Sequence, residues 1–137
     1  MWDEIVGLLK EAGAGCLATV ENGKPRNRPW GGPLAQDGKL YFCTGTFKEV
    51  YKQLAAEPYI EFCSNIAKGK WVRIRGKIDI IDDLAVKTMF MEAMPGLKDV
   101  YQAPEHPSFG VFVMEHGEAI LGDFARDVKA PPITWQF

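Results

Sequence analysis

Apolar and polar residues alternate along much of this chain, and the alternation predicts a mainly β protein. It is strictest over residues 71–80, WVRIRGKIDI, where valine and isoleucine alternate with charged side chains. A period of two places neighbouring side chains on opposite faces of a strand, so we predict one long strand with a buried and an exposed face. The exposed face would carry Trp71, Arg73, Arg75 and Lys77.

Three more strands are predicted before this one, joined by tight turns. The β-rich run at residues 16–20 ends at Asn22-Gly23, a strong hairpin signal, and would pair with the strand that carries Arg28. Asp37-Gly38 then reverses the chain into the apolar run at residues 40–43. We therefore predict a meander in which the strand of Arg28 lies between the other two.

Apolar residues at helical spacing predict three short helices. They cover residues 2–12, a segment from Thr46 to just before Pro58, and a segment from Asp82-Asp83 to about Met94. The second helix should begin at Thr46 because Thr46 and Glu49 have the spacing of a capping box.

The start of this second helix has the features of an anion site. The first N–H groups of a helix lack partners and carry the positive end of its dipole. They would face the turn at residues 44–46, with Lys48 in the first turn, and a phosphate would fit there. Arg26, Arg28 and Trp30 recur at a period of two and would share one face of the adjacent strand. The alternative is an ordinary capped helix with Lys48 on a solvated surface.

Later strands are predicted at residues 59–63, 109–115 and 118–123, the last two joined by a turn at His116-Gly117. Six or seven antiparallel strands connected as meanders, with three short helices, indicate a small Greek-key-like barrel. We predict one domain over residues 1–127 and a C-terminal tail over residues 128–137. The tail would either cover a site or a neighbouring subunit, or be disordered.

The composition limits the classes of function. The 137 residues carry a formal net charge of −2, which favours neither nucleic acid nor an anionic membrane. No apolar run approaches the roughly 20 residues that cross a membrane, and the acidic start Met-Trp-Asp-Glu is unlike a signal peptide. We expect a cytoplasmic protein that binds neither membranes nor nucleic acid. The basic strand face around Trp71 is then a solvated or subunit-facing surface rather than an RNA platform.

Neither the cysteines nor the histidines form a recognisable catalytic or metal-binding motif. Cys16, Cys43 and Cys63 are far apart in sequence, and no spacing suggests zinc or a disulfide framework. Each lies in a predicted strand among apolar neighbours, so we expect all three to be small core residues. His106 and His116 fall in a loop and a turn. We predict no catalytic side chain and no metal site, with any chemistry carried by a bound cofactor.

Four segments together resemble one protein family over roughly residues 3–124. The segments are LATVENGKPRNRPW, DGKLYFCTGTFKEVYKQLAAEPYIEFC, WVRIRGKIDIIDD and FGVFVMEHGEAILGDF. In this combination the chain resembles the FMN-binding split-barrel proteins related to pyridoxamine 5′-phosphate oxidase, and more narrowly the short members grouped with nitroimidazole-resistance proteins. The resemblance implies a split β-barrel that forms a homodimer, with one flavin in each groove between the subunits.

The resemblance also implies where the flavin would lie. Residues 28–31 match the strand whose backbone lines the isoalloxazine ring, and residues 44–48 match the region that holds the phosphate. Trp71 falls where a residue of the second subunit approaches the flavin. The candidate cofactor-binding residues are Arg26, Arg28, Pro29, Trp30, Gly31, Cys43, Thr44, Thr46, Lys48 and Trp71.

The expected function is an FMN-dependent oxidoreductase that passes hydride or electrons to or from a small molecule. Two departures from the oxidase leave the substrate open. The chain has Lys48-Glu49-Val50 where the oxidase has a Ser-Arg-Lys run, and Ala130–Phe137 does not resemble the segment that grips the vitamin substrate. The alternatives are a flavin carrier or electron-transfer module without catalysis, and a binding protein for heme or a deazaflavin.

Overall fold

A computed structural model describes residues 1–137 and contains ten strands and five α-helices. The helices are α1 (Trp2–Ala12), α2 (Glu49–Ala56), α3 (Leu84–Ala93), α4 (Leu97–Tyr101) and α5 (Phe124–Asp127). The strands are β1 (Gly15–Glu21), β2 (Lys24–Trp30), β3 (Leu34–Gln36), β4 (Lys39–Gly45), β5 (Tyr59–Asn65), β6 (Lys70–Lys77), β7 (Asp79–Ile81), β8 (Phe109–Met114), β9 (Glu118–Asp123) and β10 (Ile133–Gln136). The predicted mainly β architecture is confirmed, although the structure has more strands and helices than the six or seven strands and three helices predicted.

The strands form two antiparallel sheets around a shared core. One sheet has the order β10-β9-β6-β5-β1-β2, and the other has the order β3-β4-β8-β7. Phe62 of the larger sheet and Phe112 of the smaller one belong to the same cluster and are both 0% exposed. Helices α1 and α2 close this core with Ile5 and Leu54. No strand pair joins the two sheets, so they are not closed into a barrel by hydrogen bonds.

The predicted three-stranded meander is wrong in its second half. The β1–β2 hairpin forms as expected around Asn22-Gly23, but β2 has no second partner and is the edge of its sheet. Asp37-Gly38 instead joins β4 to β3, a short strand that the sequence did not reveal. Between β2 and β3 the chain turns at Gly31-Gly32-Pro33. Gly32 has a φ of 87° and packs against the Gly13 carbonyl, which leaves no room for a side chain.

The long strand predicted over residues 71–80 is two strands in different sheets. β6 ends at Lys77, and β7 begins at Asp79 in the other sheet. Ile78 lies between them, 1% exposed, and its N–H donates to the carbonyl of Pro58 at 2.9 Å. Alternation continues through the break because both strands turn one face toward the core. Strands β8 and β9, joined at His116-Gly117, do not pair with each other either, because β8 belongs to the smaller sheet and β9 to the larger one.

The second helix begins at Glu49, three residues later than the capping box predicted. Thr46 does not cap it, because its N–H donates to the Ser108 carbonyl at 2.9 Å and its hydroxyl to the Pro107 carbonyl at 3.4 Å. These bonds tie the segment after β4 to the start of β8. Lys48 is therefore the N-cap residue, in extended conformation and without a side-chain cap.

Two of the three cysteines were wrongly assigned to the core. Cys16 and Cys63 are exposed, and Cys43 is only partly covered. In β1 and β5 the inward positions belong to Leu17 and Phe62, both 0% exposed, so the neighbouring cysteines must point outward.

The C-terminal residues form part of the larger sheet. Strand β10 pairs with β9, and Trp135 lies opposite Ala119. Beyond it, the Phe137 ring lies 5.2 Å from the ring of Trp2 on α1. This end of the chain thus packs on its own subunit.

None of the helices has the length and apolar character needed to span a membrane.

Candidate functional site

A cleft of about 420 Å³ lies where the edge strand β2 faces the end of β4 and the start of α2. Its volume falls within the range of about 300–1,000 Å³ that is usual for small-molecule and cofactor sites. The cleft is lined by Arg28, Pro29, Trp30, Gly31, Gly32, Cys43, Thr44, Lys48, Glu49, Val50, Met94, Leu97 and Tyr101.

Most of the residues predicted for the cofactor site line this cleft. The seven that do are Arg28, Pro29, Trp30, Gly31, Cys43, Thr44 and Lys48. The structure therefore brings together two short segments, residues 28–31 and 43–48, which belong to different sheets. The other three, Arg26, Thr46 and Trp71, do not line this cleft.

The Arg28 guanidinium is held in place by neutral acceptors. Its Nη1 donates to the Thr19 hydroxyl at 2.9 Å and to the Leu17 carbonyl at 3.1 Å, and its Nη2 donates to the Gln53 Oε1 at 2.8 Å. Gln53 and Thr19 are 6% and 1% exposed, so these partners are buried. Burial lowers the pKa of Arg28 below its ordinary value, and no carboxylate forms an ion pair with it.

The start of α2 adds further donors to the lining of the cleft. The backbone N–H groups of Glu49 and Val50 donate to no acceptor within the protein. Lys48, directly before them, forms no ion pair, whereas the Glu49 carboxylate is bound by Lys52 at 3.1 Å. The positive end of the helix dipole and an uncompensated cation thus meet at one end of the cleft.

Thr44 contributes a buried hydroxyl that lacks a partner. The residue is 5% exposed, and its Oγ1 has no hydrogen bond within the protein. A buried hydroxyl without a partner costs roughly 1–3 kcal/mol, so such groups are rare unless a ligand or water satisfies them. Thr44 lines the cleft, which makes a ligand atom there the natural partner.

The opposite wall of the cleft is apolar and comes from α3 and α4. Its residues Met94, Leu97 and Tyr101 were not predicted. The Tyr101 ring stacks on Phe109 with centroids 4.9 Å apart, which fixes the position of α4 on the smaller sheet. Burial raises the pKa of Tyr101, and nearby Cys43 adds to the shift, so the phenol stays protonated at neutral pH.

Cys43 lies between the cationic end and this apolar wall. Burial raises the pKa of its thiol to about 12, against a smaller opposing effect of Lys48. The thiol is thus neutral and poorly nucleophilic at physiological pH. Trp30 closes the cleft near the core, with its ring edge-on to Phe112 at a centroid distance of 6.2 Å.

Trp71 occupies a separate hollow on the outer face of the larger sheet. Its ring lies flat over Gly122, where any Cβ would overlap the indole. Strands β5 and β1 lie between β6 and β2, so Trp71 stands roughly 14 Å from the edge strand of its own subunit. Arg26 is also displaced from the cleft and pairs with Glu21 at 3.3 Å.

These features give the cleft two chemically different ends. One end offers two cations without counter-ions, free amide N–H groups and the Thr44 hydroxyl, which together suit an anion such as a phosphate. The other end offers aromatic and aliphatic side chains, which suit a flat apolar ring. No histidine lines the cleft, since His106 and His116 lie elsewhere.

Comparison with known proteins identifies the family and the fold of the chain. Residues 1–120 match the family described as pyridoxamine 5′-phosphate oxidase. No curated protein matches the chain. A NimC/NimA family protein from Clostridium acetobutylicum is 31% identical with a TM-score of 0.87, and the alignment covers 99% of this chain and 93% of that one.

Two more distant structures share the fold alone. A pyridoxamine 5′-phosphate oxidase-related, FMN binding protein from Nostoc punctiforme is 18% identical with a TM-score of 0.62, over 98% of this chain and 87% of that one. A heme binding protein from Mycobacterium smegmatis is 16% identical with a TM-score of 0.75, over 99% of this chain and 57% of that one.

Proposed function

We propose, from the premise that the chain belongs to the pyridoxamine 5′-phosphate oxidase family, that it is an FMN-binding oxidoreductase acting on a small molecule. The observation that carries the proposal is the cationic end of the cleft, where Arg28 and Lys48 lack counter-ions and the Thr44 hydroxyl lacks a partner. In this reading the two sheets are the halves of a split barrel, and the cleft lies at the edge between them.

The phosphate of FMN fits the donors at the cationic end. Lys48 and the amides of Glu49 and Val50 would bind its oxygens, and Arg28 would add charge from the strand opposite. The Nη atoms of Arg28 are already held by Gln53 and Thr19, so its orientation is set before any ligand arrives. Such preorganisation lowers the entropic cost of binding.

The ring system of FMN fits the rest of the cleft. Trp30, Leu97 and Tyr101 would pack against its faces and edges and exclude water. The edge strand β2 exposes backbone groups that no neighbouring strand uses, and these can hydrogen-bond the polar edge of a flavin. The Thr44 hydroxyl would satisfy its missing bond on the ligand.

When bound, FMN supplies the transfer of hydride or electrons, which no side chain of the cleft can perform. The contribution of the chain is to bind, orient and shield. Cys43 and Tyr101 stay protonated at neutral pH, so they place no negative charge beside the flavin. The side chains of the cleft include no histidine, and we assign no residue as a general acid or base.

We further propose that the protein is a homodimer with its flavin sites at the subunit interface. Trp71 cannot reach the cleft of its own subunit, because three strand spacings separate β6 from β2. The exposed sheet face that bears Trp71 would instead lie over the cleft of a second copy. Phe124, 64% exposed next to this face, would then be covered.

The visible absorption spectrum of the purified protein, with mass identification of the molecule released by heat, tests the cofactor. We expect flavin bands and the mass of FMN. Heme or deazaflavin absorption, or a colourless protein that refuses added FMN, would overturn the proposal.

Turnover is a separate measurement on the FMN-loaded protein. Flavin reduction by a nicotinamide donor and reoxidation by a small acceptor would support an oxidoreductase. An FMN-loaded protein that reacts with neither partner would instead be a flavin carrier.

The dimer has its own test. Light scattering should give twice the mass of one chain, and Trp71→Ala should weaken FMN binding without altering the cleft of its own subunit. A monomer that binds FMN equally well with or without Trp71 would rule out the shared site.

A further inference from the structure

The apolar wall of the cleft contains one hydroxyl that has no partner within the protein. Tyr101 of α4 lines the cleft and is only 5% exposed. None of the side-chain hydrogen bonds of the structure involves its hydroxyl. The His106 ring lies 6.3 Å away between centroids, and its Nδ1 already accepts from the Ser108 N–H at 3.1 Å. A nearly buried phenol without a partner is rare unless a ligand or water accepts its hydrogen bond.

The position of this hydroxyl is set by its neighbours. The Tyr101 ring stacks on Phe109 with centroids 4.9 Å apart. Its oxygen lies over Gly45, where an ideal Cβ would be 2.8 Å from it, so glycine leaves room for the phenol beside the end of β4. The Gly45 carbonyl accepts from the Lys48 N–H at 3.1 Å. Burial raises the pKa of Tyr101, so the hydroxyl keeps its proton and remains a donor at neutral pH.

We propose that the Tyr101 hydroxyl donates a hydrogen bond to the ring system of bound FMN and stabilises the reduced flavin more than the oxidised one. The inference rests on the proposed function, in which the phosphate lies at the cationic end of the cleft and the ring at the apolar end. The edge of a flavin ring carries nitrogen and carbonyl oxygen atoms that accept hydrogen bonds. A ring that covered Tyr101 without accepting its hydrogen bond would remove the phenol from water without replacement, which costs free energy.

Reduction of the cofactor strengthens this hydrogen bond. Reduced flavin is largely an anion near neutral pH, and a hydrogen bond to an ionised acceptor is roughly twice as strong as one between neutral groups. The apolar neighbours Met94 and Leu97 line the same wall, and an apolar environment strengthens the electrostatic part of the bond. Tyr101 thereby raises the reduction potential of FMN. Its role is to tune the electronics of the cofactor, whereas Lys48 and the start of α2 hold the phosphate.

Tyr101→Phe tests the assignment, because it removes the hydroxyl and keeps the stacked ring. The midpoint potential of the FMN-loaded full-length protein is measured against a reference dye, and the affinity for oxidised FMN by fluorescence titration. We expect the affinity for reduced FMN, relative to oxidised FMN, to fall about tenfold, which lowers the two-electron midpoint potential by about 30 mV. The affinity for oxidised FMN should fall by no more than about fivefold.

Tyr41→Phe is the matched control. Tyr41 packs against the same apolar cluster as Tyr101 but does not line the cleft. Its substitution should change the ratio of the two FMN affinities by less than about twofold. Chemical denaturation of the ligand-free proteins is the second measurement. Tyr101→Phe should be as stable as the wild type, because the hydroxyl that it removes has no partner within the fold.

The outcomes separate this inference from the proposed function. An unchanged midpoint potential in Tyr101→Phe, with FMN still bound, would overturn the inference and leave the proposed function intact. An equal shift in Tyr41→Phe would also overturn it, because the effect would not belong to the cleft. A ligand-free Tyr101→Phe protein that unfolds more easily would overturn it by showing that the hydroxyl has a partner within the fold. A wild-type protein that does not bind FMN would overturn the proposed function and the inference with it.

Discussion

The cleft and the outer face around Trp71 contain the same kinds of residue but offer different chemistry. Each has a tryptophan and at least two arginine or lysine side chains. On the outer face both arginines have a carboxylate partner within the sheet, since Arg73 lies 3.8 Å from Glu61 and Arg75 lies 2.9 Å from Glu118. In the cleft neither Arg28 nor Lys48 has a carboxylate partner.

The difference shows that the number of basic residues on a surface does not identify an anion site. An exposed ion pair changes the stability of a protein by about 0 to 1 kcal/mol, and its cation is no longer available to a ligand. An unpaired cation beside free amide N–H groups keeps its full electrostatic attraction for an anion. The cleft is therefore where we expect charge changes to alter binding.

Reversing the charge of Lys48 should have the largest effect. We expect Lys48→Glu to weaken FMN binding roughly a hundredfold, equivalent to about 3 kcal/mol, because an attraction to the phosphate becomes a repulsion. Lys52→Glu is the matched control one turn along α2, where the lysine pairs with Glu49. Flavin fluorescence titration should show a change of less than about threefold for the control. Equal losses in both variants would mean that the phosphate does not lie at Lys48.

Removing the support of Arg28 should have the next largest effect. Gln53→Leu takes away the acceptor for Arg28 Nη2 and the donor to Glu21. We expect FMN affinity to fall about tenfold, and the free energy of unfolding to fall by about 1–3 kcal/mol because buried partners are left unsatisfied. Gln136→Leu is the control for the flavin titration and for the unfolding measurement, because the Gln136 amide donates to Glu118 at an exposed position. Loss of stability with unchanged affinity would limit Gln53 to a structural role.

Thr44→Val should separate binding from stability. The wild-type hydroxyl has no partner without ligand, so its removal should leave the ligand-free protein as stable or more stable by up to about 1 kcal/mol. FMN affinity should fall about fivefold, because the bound ligand loses one hydrogen bond. Chemical denaturation and flavin titration of the same variant measure the two effects. A destabilised ligand-free protein would show that the hydroxyl has a partner within the fold.

The smallest effect is expected from removing the charge of a paired arginine on the outer face. Arg73→Met removes a paired cation that lies over the Trp71 ring at 4.8 Å, and should change FMN affinity by less than about twofold. The same titration as for Lys48→Glu measures it. A loss comparable to that of Lys48→Glu would contradict the distinction between paired and unpaired cations.

The sequence predicted the parts of the cleft that are local in the chain. Strand alternation predicted the shared face of Arg28 and Trp30, and the turn and helix signals predicted the segment from Thr44 to Lys48. The inclusion of Pro29, Gly31 and Cys43 rested on the resemblance to the family. The β1–β2 hairpin could also be predicted from the local sequence, because Asn22 and Gly23 adopt the positive φ angles of 53° and 73° that their dipeptide favours.

The sequence could not predict what depends on how the sheets meet. Alternation is identical within one strand and across the break at Ile78, so it cannot indicate a change of sheet. Helix α4 was missed because Pro95-Gly96 suggested the end of a helix and the next five residues are too few to show a period. The cleft wall formed by Leu97 and Tyr101 was missed with it.

Strands β4 and β8 pair Leu40 with Met114 and Gly45 with Phe109, across a long stretch of intervening chain. Closing so large a loop has an entropic cost that must be met before these contacts stabilise anything. The β1–β2 hairpin can form early, but Cys43 and Thr44, which line the cleft from β4, are paired with β8 only after β8 has docked. A cofactor that needs both walls cannot guide the early steps of folding, and its stabilisation should therefore appear as slower unfolding rather than faster folding.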